Sequence, residues 1–224
     1  MKILNKPTIF LPVSILVCVL AGCQKDTPSS SGGIPAERFA LAAETKTNLP
    51  TLKLMQGEKQ VQVSSCDALI KQLATASLVE TDDNYETYGD YQSCLADRVY
   101  QQATTSTKTE YQGDFAALIH QQLDVASFRS SLGPALQAGV NTFKGMKFNY
   151  KTGQHSVEYD TDDWLYRFSL LAKGDFNRDG QEDLLVGFLD QSKTASYYTS
   201  VTLVLRRSAG DQYWKAEEVE RFFK

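Results

Sequence analysis

Between Gly174 and Val186 the chain reads Gly-Asp-Phe-Asn-Arg-Asp-Gly-Gln-Glu-Asp-Leu-Leu-Val. Oxygen-bearing side chains at alternate positions, Asp175, Asn177 and Asp179, can wrap one hard cation. The main-chain carbonyl of Gln181 would add a ligand and Asp183 would close the cage, with Gly180 supplying the sharp reversal. An all-oxygen donor set suits calcium, whereas zinc and copper favour nitrogen and sulfur. The loop is not an EF-hand, because its twelfth position is Val186 rather than a bidentate Glu, and its flanks read as strands. Asn-x-Asp-Gly is also good turn sequence in its own right, since Asx side chains cap their own backbone. Carboxylates packed so closely repel one another when no cation is present, which favours a structural calcium clip over a turn alone.

The run Gly-Asp-Phe-Asn-x-Asp-Gly-x-x-Asp-Leu-Leu-Val resembles the FG-GAP/VCBS repeat, the calcium-binding hairpin of integrin-type β-propellers. The resemblance implies Asp175, Asn177, Asp179 and Asp183 as ligands. Such propellers stack many copies and this chain carries one, so the implication is a metal-clipped β-hairpin and not a propeller or an adhesion protein. A second specific signal lies at the N-terminus. Lys2 and Lys6 precede an apolar run from Ile9 to Leu20 that is too short to span a bilayer, and Leu20-Ala21-Gly22-Cys23 closes it. This segment resembles the signal peptide and lipobox of bacterial lipoproteins. The resemblance implies cleavage before Cys23, acylation (palmitate among the lipids) of Cys23, and membrane attachment through that lipid. Gln24 rather than Asp follows the cysteine, which by the same resemblance implies the outer membrane of a Gram-negative envelope.

Cysteine usage agrees with export. Cys18 would leave with the signal and Cys23 would take lipid, so Cys66 and Cys94 remain to form a disulfide in an oxidising compartment. No Cys-x-x-Cys spacing or neighbouring histidine favours a redox or metal pair. With 23 basic and 27 acidic residues, a net charge of −4 and no Lys/Arg-rich run, the chain lacks the clustered cations that nucleic-acid binding requires.

The elements that must position these residues divide as a signal peptide over 1–22, a lipidated cysteine and flexible tether over 23–35, and one domain over 36–224. Residues 36–60 are ambiguous. Over 64–140 the apolar spacing predicts helices: Ser64 or Ser65 caps a helix carrying Cys66, Leu69, Ile70 and Leu73, and Asp83-x-x-Glu86 has capping-box spacing ahead of Tyr88, Tyr91, Leu95 and Val99. Phe115, Leu118, Ile119 and Leu123 mark a third helix, and Pro134 is placed to start a short helical turn. Over 144–219 the period changes to two, with Trp164, Tyr166, Phe168, Leu170 and Ala172 on one face of a long strand and Leu184–Leu189 as a central strand covered on both faces. The expected fold class is α+β, an N-terminal helical section packed on a C-terminal antiparallel β-meander of five or six strands.

Catalytic signals are sparse. His120 and His155 are the two histidines and neither has metal-ligand spacing; no Gly-x-Ser-x-Gly elbow, P-loop or dinucleotide fingerprint occurs. Two acidic–aromatic clusters stand out, Tyr85, Glu86, Tyr88, Asp90 and Tyr91, and Glu158, Tyr159, Asp160, Asp162, Asp163 and Trp164. Aromatic faces beside carboxylates can bind sugars. The expected function is non-enzymatic: an envelope binding or scaffolding module whose partner is another envelope protein or a glycan. The alternatives are a glycan- or peptidoglycan-directed hydrolase using Glu158, Asp160 and Asp163, or a periplasmic lysozyme inhibitor.

Overall fold

The computed structural model describes residues 33–40, 49–79, 81–129 and 131–223. The signal peptide, Cys23 and most of the tether lie outside the described residues. In chain order the elements are β1 (Glu37–Arg38), β2 (Leu52–Gln56), β3 (Lys59–Val63), α1 (Cys66–Gln72), β4 (Ser77–Leu78), α2 (Asp82–Gln101), α3 (Phe115–Gln122), β5 (Leu123–Asp124), a 3₁₀ turn (Val125–Ser127) and α4 (Phe143–Met146). There follow β6 (Tyr150–Thr152), β7 (Ser156–Asp160), β8 (Trp164–Gly174), β9 (Asp183–Ser192), β10 (Tyr198–Arg206), β11 (Trp214–Glu218) and a closing 3₁₀ segment (Val219–Phe223).

The α+β expectation is corrected: the fold is mainly β, built on one large curled mixed sheet rather than on a helical section packed on a meander. The sheet runs in the order β5-β11-β10-β9-β8-β7-β6, with β1 joined to β8 and β5 running parallel to β11. A second sheet, β3-β2-β4, is made mostly by residues whose character the sequence left open and by Ser77–Leu78, just after the first helix of the expected helical section. Within 64–140 the apolar spacing does make helices, but they are short apart from α2. Leu123 and Asp124 pair with Trp214 and Lys215 instead of extending α3, and no helical turn begins at Pro134. Local periodicity cannot see these pairings, because their partners lie tens of residues away.

Strand β9 explains the layering. Leu184, Leu185, Val186 and Phe188 are all buried, so neither face of the strand tolerates water. On one face Leu184, Val186 and Phe188 join α3, α4 and an aromatic cluster of Phe143, Tyr159, Tyr166 and Phe168. On the other, Leu185 meets Val204, Ala172, Tyr91, Leu95 and Val99 beneath α2 and the small sheet. Each such side chain contributes about 1.5–3 kcal/mol of transfer free energy.

Strand β8 departs from strict alternation. A bulge lies between Leu170, opposite Val186, and Ala172, opposite Leu185. The extra residue, Leu171, swings Ala172 to the α2 side while Tyr166, Phe168 and Leu170 stay on the aromatic side, so the expected single face of β8 is split. The carbonyl of Leu171 is thereby freed to accept from the backbone N–H groups of Phe39 and Ala40 at 2.8 and 3.2 Å. Strand β1 thus occupies the edge of β8 that β7 leaves after the Ser156–Ser169 pair.

Caps and cross-links fix α1 and α2. The Ser65 side chain accepts from the Ala68 N–H. Helix α2 starts two residues earlier than a capping box at Asp83 would place it, with Thr81 at the N-cap and no side-chain cap bond. Cys66 and Cys94 form a disulfide between the two helices, closing a separation of 28 residues. Gln92 locks α2 to the large sheet, its Oε1 accepting from the Thr202 N–H at 2.6 Å and its Nε2 donating to Glu220 at 3.0 Å. On the chain-entropy model a cross-link of this span is worth about 3–4 kcal/mol. Cys66→Ser and Cys94→Ser are therefore each expected to lower unfolding free energy by roughly that amount in urea denaturation without changing the far-ultraviolet spectrum; an unchanged midpoint would show that the helices are held by packing alone.

Candidate functional site

The sequence-predicted metal loop is the connection between β8 and β9, and its polar atoms are turned on one another. Asp175 Oδ1 accepts from the Asp179 N–H at 3.1 Å, and its Oδ2 accepts from the Gly180 N–H and from the Thr104 hydroxyl, both at 2.9 Å. Asn177 Oδ1 accepts from the Asp179 N–H and Asp179 Oδ1 from the Gln181 N–H, a chain of Asx turns. Asp183 Oδ2 accepts from the Phe176 N–H. The backbone meets this network with Gly180 at φ 83° and, unusually for a residue with a Cβ, Arg178 at φ 65°.

Asp175, Asn177, Asp179, Gln181 and Asp183 are therefore brought into one loop, two of them (Asp175 and Asp183) almost wholly buried. Among the described residues no group of three His, Cys, Asp or Glu side chains converges as a ready metal cluster. The charge they carry is nonetheless poorly compensated. Burial pushes the Asp183 carboxyl up to about 7, the neighbouring Asp179 and Asp175 push in the same direction, and the Phe176 N–H and Arg206 offset only part of it. Asp175 Oδ2 spends both lone pairs on the bonds named above, but Asp175 Oδ1 and the oxygens of Asp179 and Asp183 each keep at least one, so the donor set fits a hard cation chemically.

The loop is also a structural junction, which no spacing rule in the sequence indicated. The segment after α2 lies along it, with Thr104 N–H and Asp175 carbonyl bonded at 2.9 Å, the Thr107 N–H and hydroxyl on the Gly180 carbonyl, and the Thr109 hydroxyl on the buried Glu182 at 2.6 Å. Ile34 exchanges backbone bonds with Ser106 on the far side of that segment. A side chain at Gly174 would meet the Ala36 Cβ at 2.8 Å, so the glycine of the motif lets the incoming N-terminal segment pass.

The two acidic–aromatic clusters fare differently. Glu158 is held by Arg167 at 2.6 and 2.8 Å, and Asp160 by Lys193 at 2.7 Å, with Lys151 at 3.7 Å. The lysines depress the Asp160 carboxyl, Lys193 most. Trp164 stacks on Tyr166 and Tyr159 is buried in the core. These carboxylates are thus engaged by cations on the strand surface.

Tyr85 and Glu86, by contrast, line a cleft of about 360 Å³ at the β9–β10 turn together with Arg129, Ser131, Tyr197 and Tyr198. Tyr198 is 48% exposed and Tyr197 37%. The Tyr197 hydroxyl donates to the Ser131 carbonyl at 2.9 Å and its ring meets Trp164 edge-on at 5.6 Å. Burial, with help from Asp190, pushes that phenol up to about 12, so it stays neutral. The roles of Arg129, Tyr197 and Tyr198 were not foreseen; adjacent tyrosines immediately after a Lys-Thr-Ala-Ser turn were the available signal.

Asp190 underlies this cleft. It is 1% exposed and accepts from the Gly133 N–H at 2.7 Å, pinning the loop that carries Arg129 and Ser131. No family model matches the chain, and no curated protein and no solved structure matches it.

Burial raises the Asp190 carboxyl from 3.8 to about 6, offset in part by the Gly133 N–H. A raised folded-state value favours the protonated form, so the penalty is absent below about pH 4, grows between pH 4 and 6, and is complete above. Asp190→Asn keeps the acceptor for Gly133 and cannot ionise. It is expected to stabilise the protein by up to about 3 kcal/mol at pH 8 and to give no advantage at pH 4. Urea unfolding at the two pH values checks this, and equal effects at both would remove ionisation as the cause.

Proposed function

We propose that the chain is an envelope lipoprotein, anchored through Cys23, whose domain is a non-enzymatic glycan-binding module stabilised by calcium in the β8–β9 loop. The observation that carries the reading is the tyrosine-walled cleft. Tyr85, Tyr197 and Tyr198 offer aromatic faces of the kind that stack on sugar rings, and Glu86 and Arg129 offer a hydrogen-bond acceptor and donors for sugar hydroxyls at its rim. Its volume of about 360 Å³ suits one or two sugar units rather than a protein surface. The Tyr197 phenol stays neutral and the loop carrying Arg129 and Ser131 is pinned by Asp190, so the cleft wall is uncharged at Tyr197 and held in place, which favours binding.

The calcium part of the proposal rests on the loop chemistry. Asp175, Asn177, Asp179 and Asp183, with the Gln181 carbonyl, would hold the ion, which would supply the positive charge that the buried carboxylates lack. Because the loop already joins β8, β9 and the Thr104–Thr109 segment, an ion there would act as a clip on three parts of the chain.

Titration of the purified protein with a chito-oligosaccharide is expected to give saturable binding that Tyr198→Ala weakens about tenfold, with the melting temperature unchanged. Wild-type affinity in Tyr198→Ala and Glu86→Ala together would overturn the cleft assignment. For the metal, a site of about 10⁻⁴ M in millimolar calcium should stabilise the fold by about 1.4 kcal/mol, read as a raised melting temperature that Asp179→Ala abolishes. Equal melting temperatures with calcium and with chelator would reduce the loop to a self-capped turn.

A further inference from the structure

At the other end of β9 from the tyrosine cleft, the β8–β9 loop, the end of β10 and the closing 3₁₀ segment frame a second cleft of about 460 Å³. Arg178, Arg206 and Arg221 all line it, with Gln102 on the rim and Phe176 and Phe222 as apolar wall. Against these three arginines the lining holds one carboxylate, Glu217, which is already ion-paired with Arg206. The Arg178 and Arg221 side chains have no hydrogen bond or ion pair among the described residues. Such a concentration of positive charge is out of keeping with a chain of net charge −4.

Placement argues that the convergence is built. Arg178 occupies a left-handed conformation, φ 65°, where glycine or asparagine would sit without strain. Its neighbours Asn177 and Asp179 turn their side chains into the loop network, leaving Arg178 to line the cleft. Arg206 ends β10 and Arg221 lies in the last 3₁₀ segment, so three separate parts of the chain deliver the charges.

We propose that this cleft binds a phosphate group. Guanidinium forks match phosphate oxygens with paired hydrogen bonds, and the cleft's excess of two positive charges matches a phosphate monoester dianion better than a single carboxylate. The phenylalanines would cover the organic part of the ligand. Two sources share this chemistry, a soluble phosphoester and a lipid headgroup. The second source rests on the lipid-anchor reading: Ala36 and Ala103, the latter next to Gln102 of the cleft, both lie beside Gly174, and only about ten residues, or about 35 Å at full extension, separate Gly33 from Cys23.

Calorimetric titration of the full-length chain in nonionic detergent at low salt tests the proposal with phenyl phosphate and with a short-chain phosphatidylglycerol below its micelle concentration. Phenyl phosphate is expected to bind, about tenfold more weakly to Arg221→Ala. Arg178→Gly is expected to weaken it as much while melting at or above the wild-type temperature, since glycine accepts that φ; this separates loss of binding from loss of fold. Binding of phenyl phosphate alone assigns a soluble phosphoester. Binding of the short-chain lipid, with the same sensitivity to both substitutions, assigns a headgroup. No heat with either probe, or unchanged affinity in both variants, overturns the phosphate site while leaving the glycan and calcium readings standing.

Discussion

Strand β9 has no face that can meet water over Asp183–Val186, and the rest of the structure follows from that constraint. Leu184, Val186 and Phe188 need one apolar cover and Leu185 needs another, so the sheet is enclosed between two separate cores. Short helices and an aromatic stack supply the first. Helix α2, the β2–β3–β4 sheet and the closing 3₁₀ segment supply the second. The bulge at Leu171 reconciles the two, because it allows one strand to feed the aromatic core with Phe168 and Leu170 and the opposite core with Ala172.

A strand with one face buried throughout leaves its two ends as the places where polar chemistry can be gathered, and they differ in character. At the β8–β9 end acidic oxygens turn inward on backbone N–H groups while arginines from three parts of the chain gather in the adjoining cleft. At the β9–β10 end tyrosines dominate, over a buried carboxylate that holds the neighbouring loop. Loops positioned by a rigid sheet are the usual carriers of recognition, and here each end is braced by a segment distant in sequence, Thr104–Thr109 at one and Arg129–Gly133 at the other.

Buried polar groups give the fold its specificity at some energetic cost. Gln92 reaches from α2 to the Thr202 backbone, and Tyr88 and Gln92 share Glu220, so sliding α2 along the sheet would strand several buried donors and acceptors. Asp190 and Asp183 similarly accept backbone N–H groups that would otherwise be unpaired, and both carry the raised protonation range that desolvation imposes.

Much of the local structure was legible in the sequence because it depends on neighbours within a few residues. The period-two pattern marked the long strands, helical spacing marked α1, α2 and α3, and Asn-x-Asp-Gly marked the loop whose Asx turns and positive φ appear at Asn177, Asp179 and Gly180. Cys66 and Cys94, the two cysteines expected to pair, form the disulfide between α1 and α2. The mainly-β architecture was not legible, because the parallel β5–β11 pair, the addition of β4 to β2 and the β1 edge depend on backbone bonds between distant segments that carry no residue-type signature. Nor did spacing indicate that Tyr85 and Glu86 would meet Tyr197 and Tyr198, or that Arg178, Arg206 and Arg221 would share one cleft. The sequence by itself determined which residues could coordinate, cap or bury; only the tertiary structure decided which of them meet, because pairing register and the side on which a chain crosses are set by the burial of both faces of β9 at once.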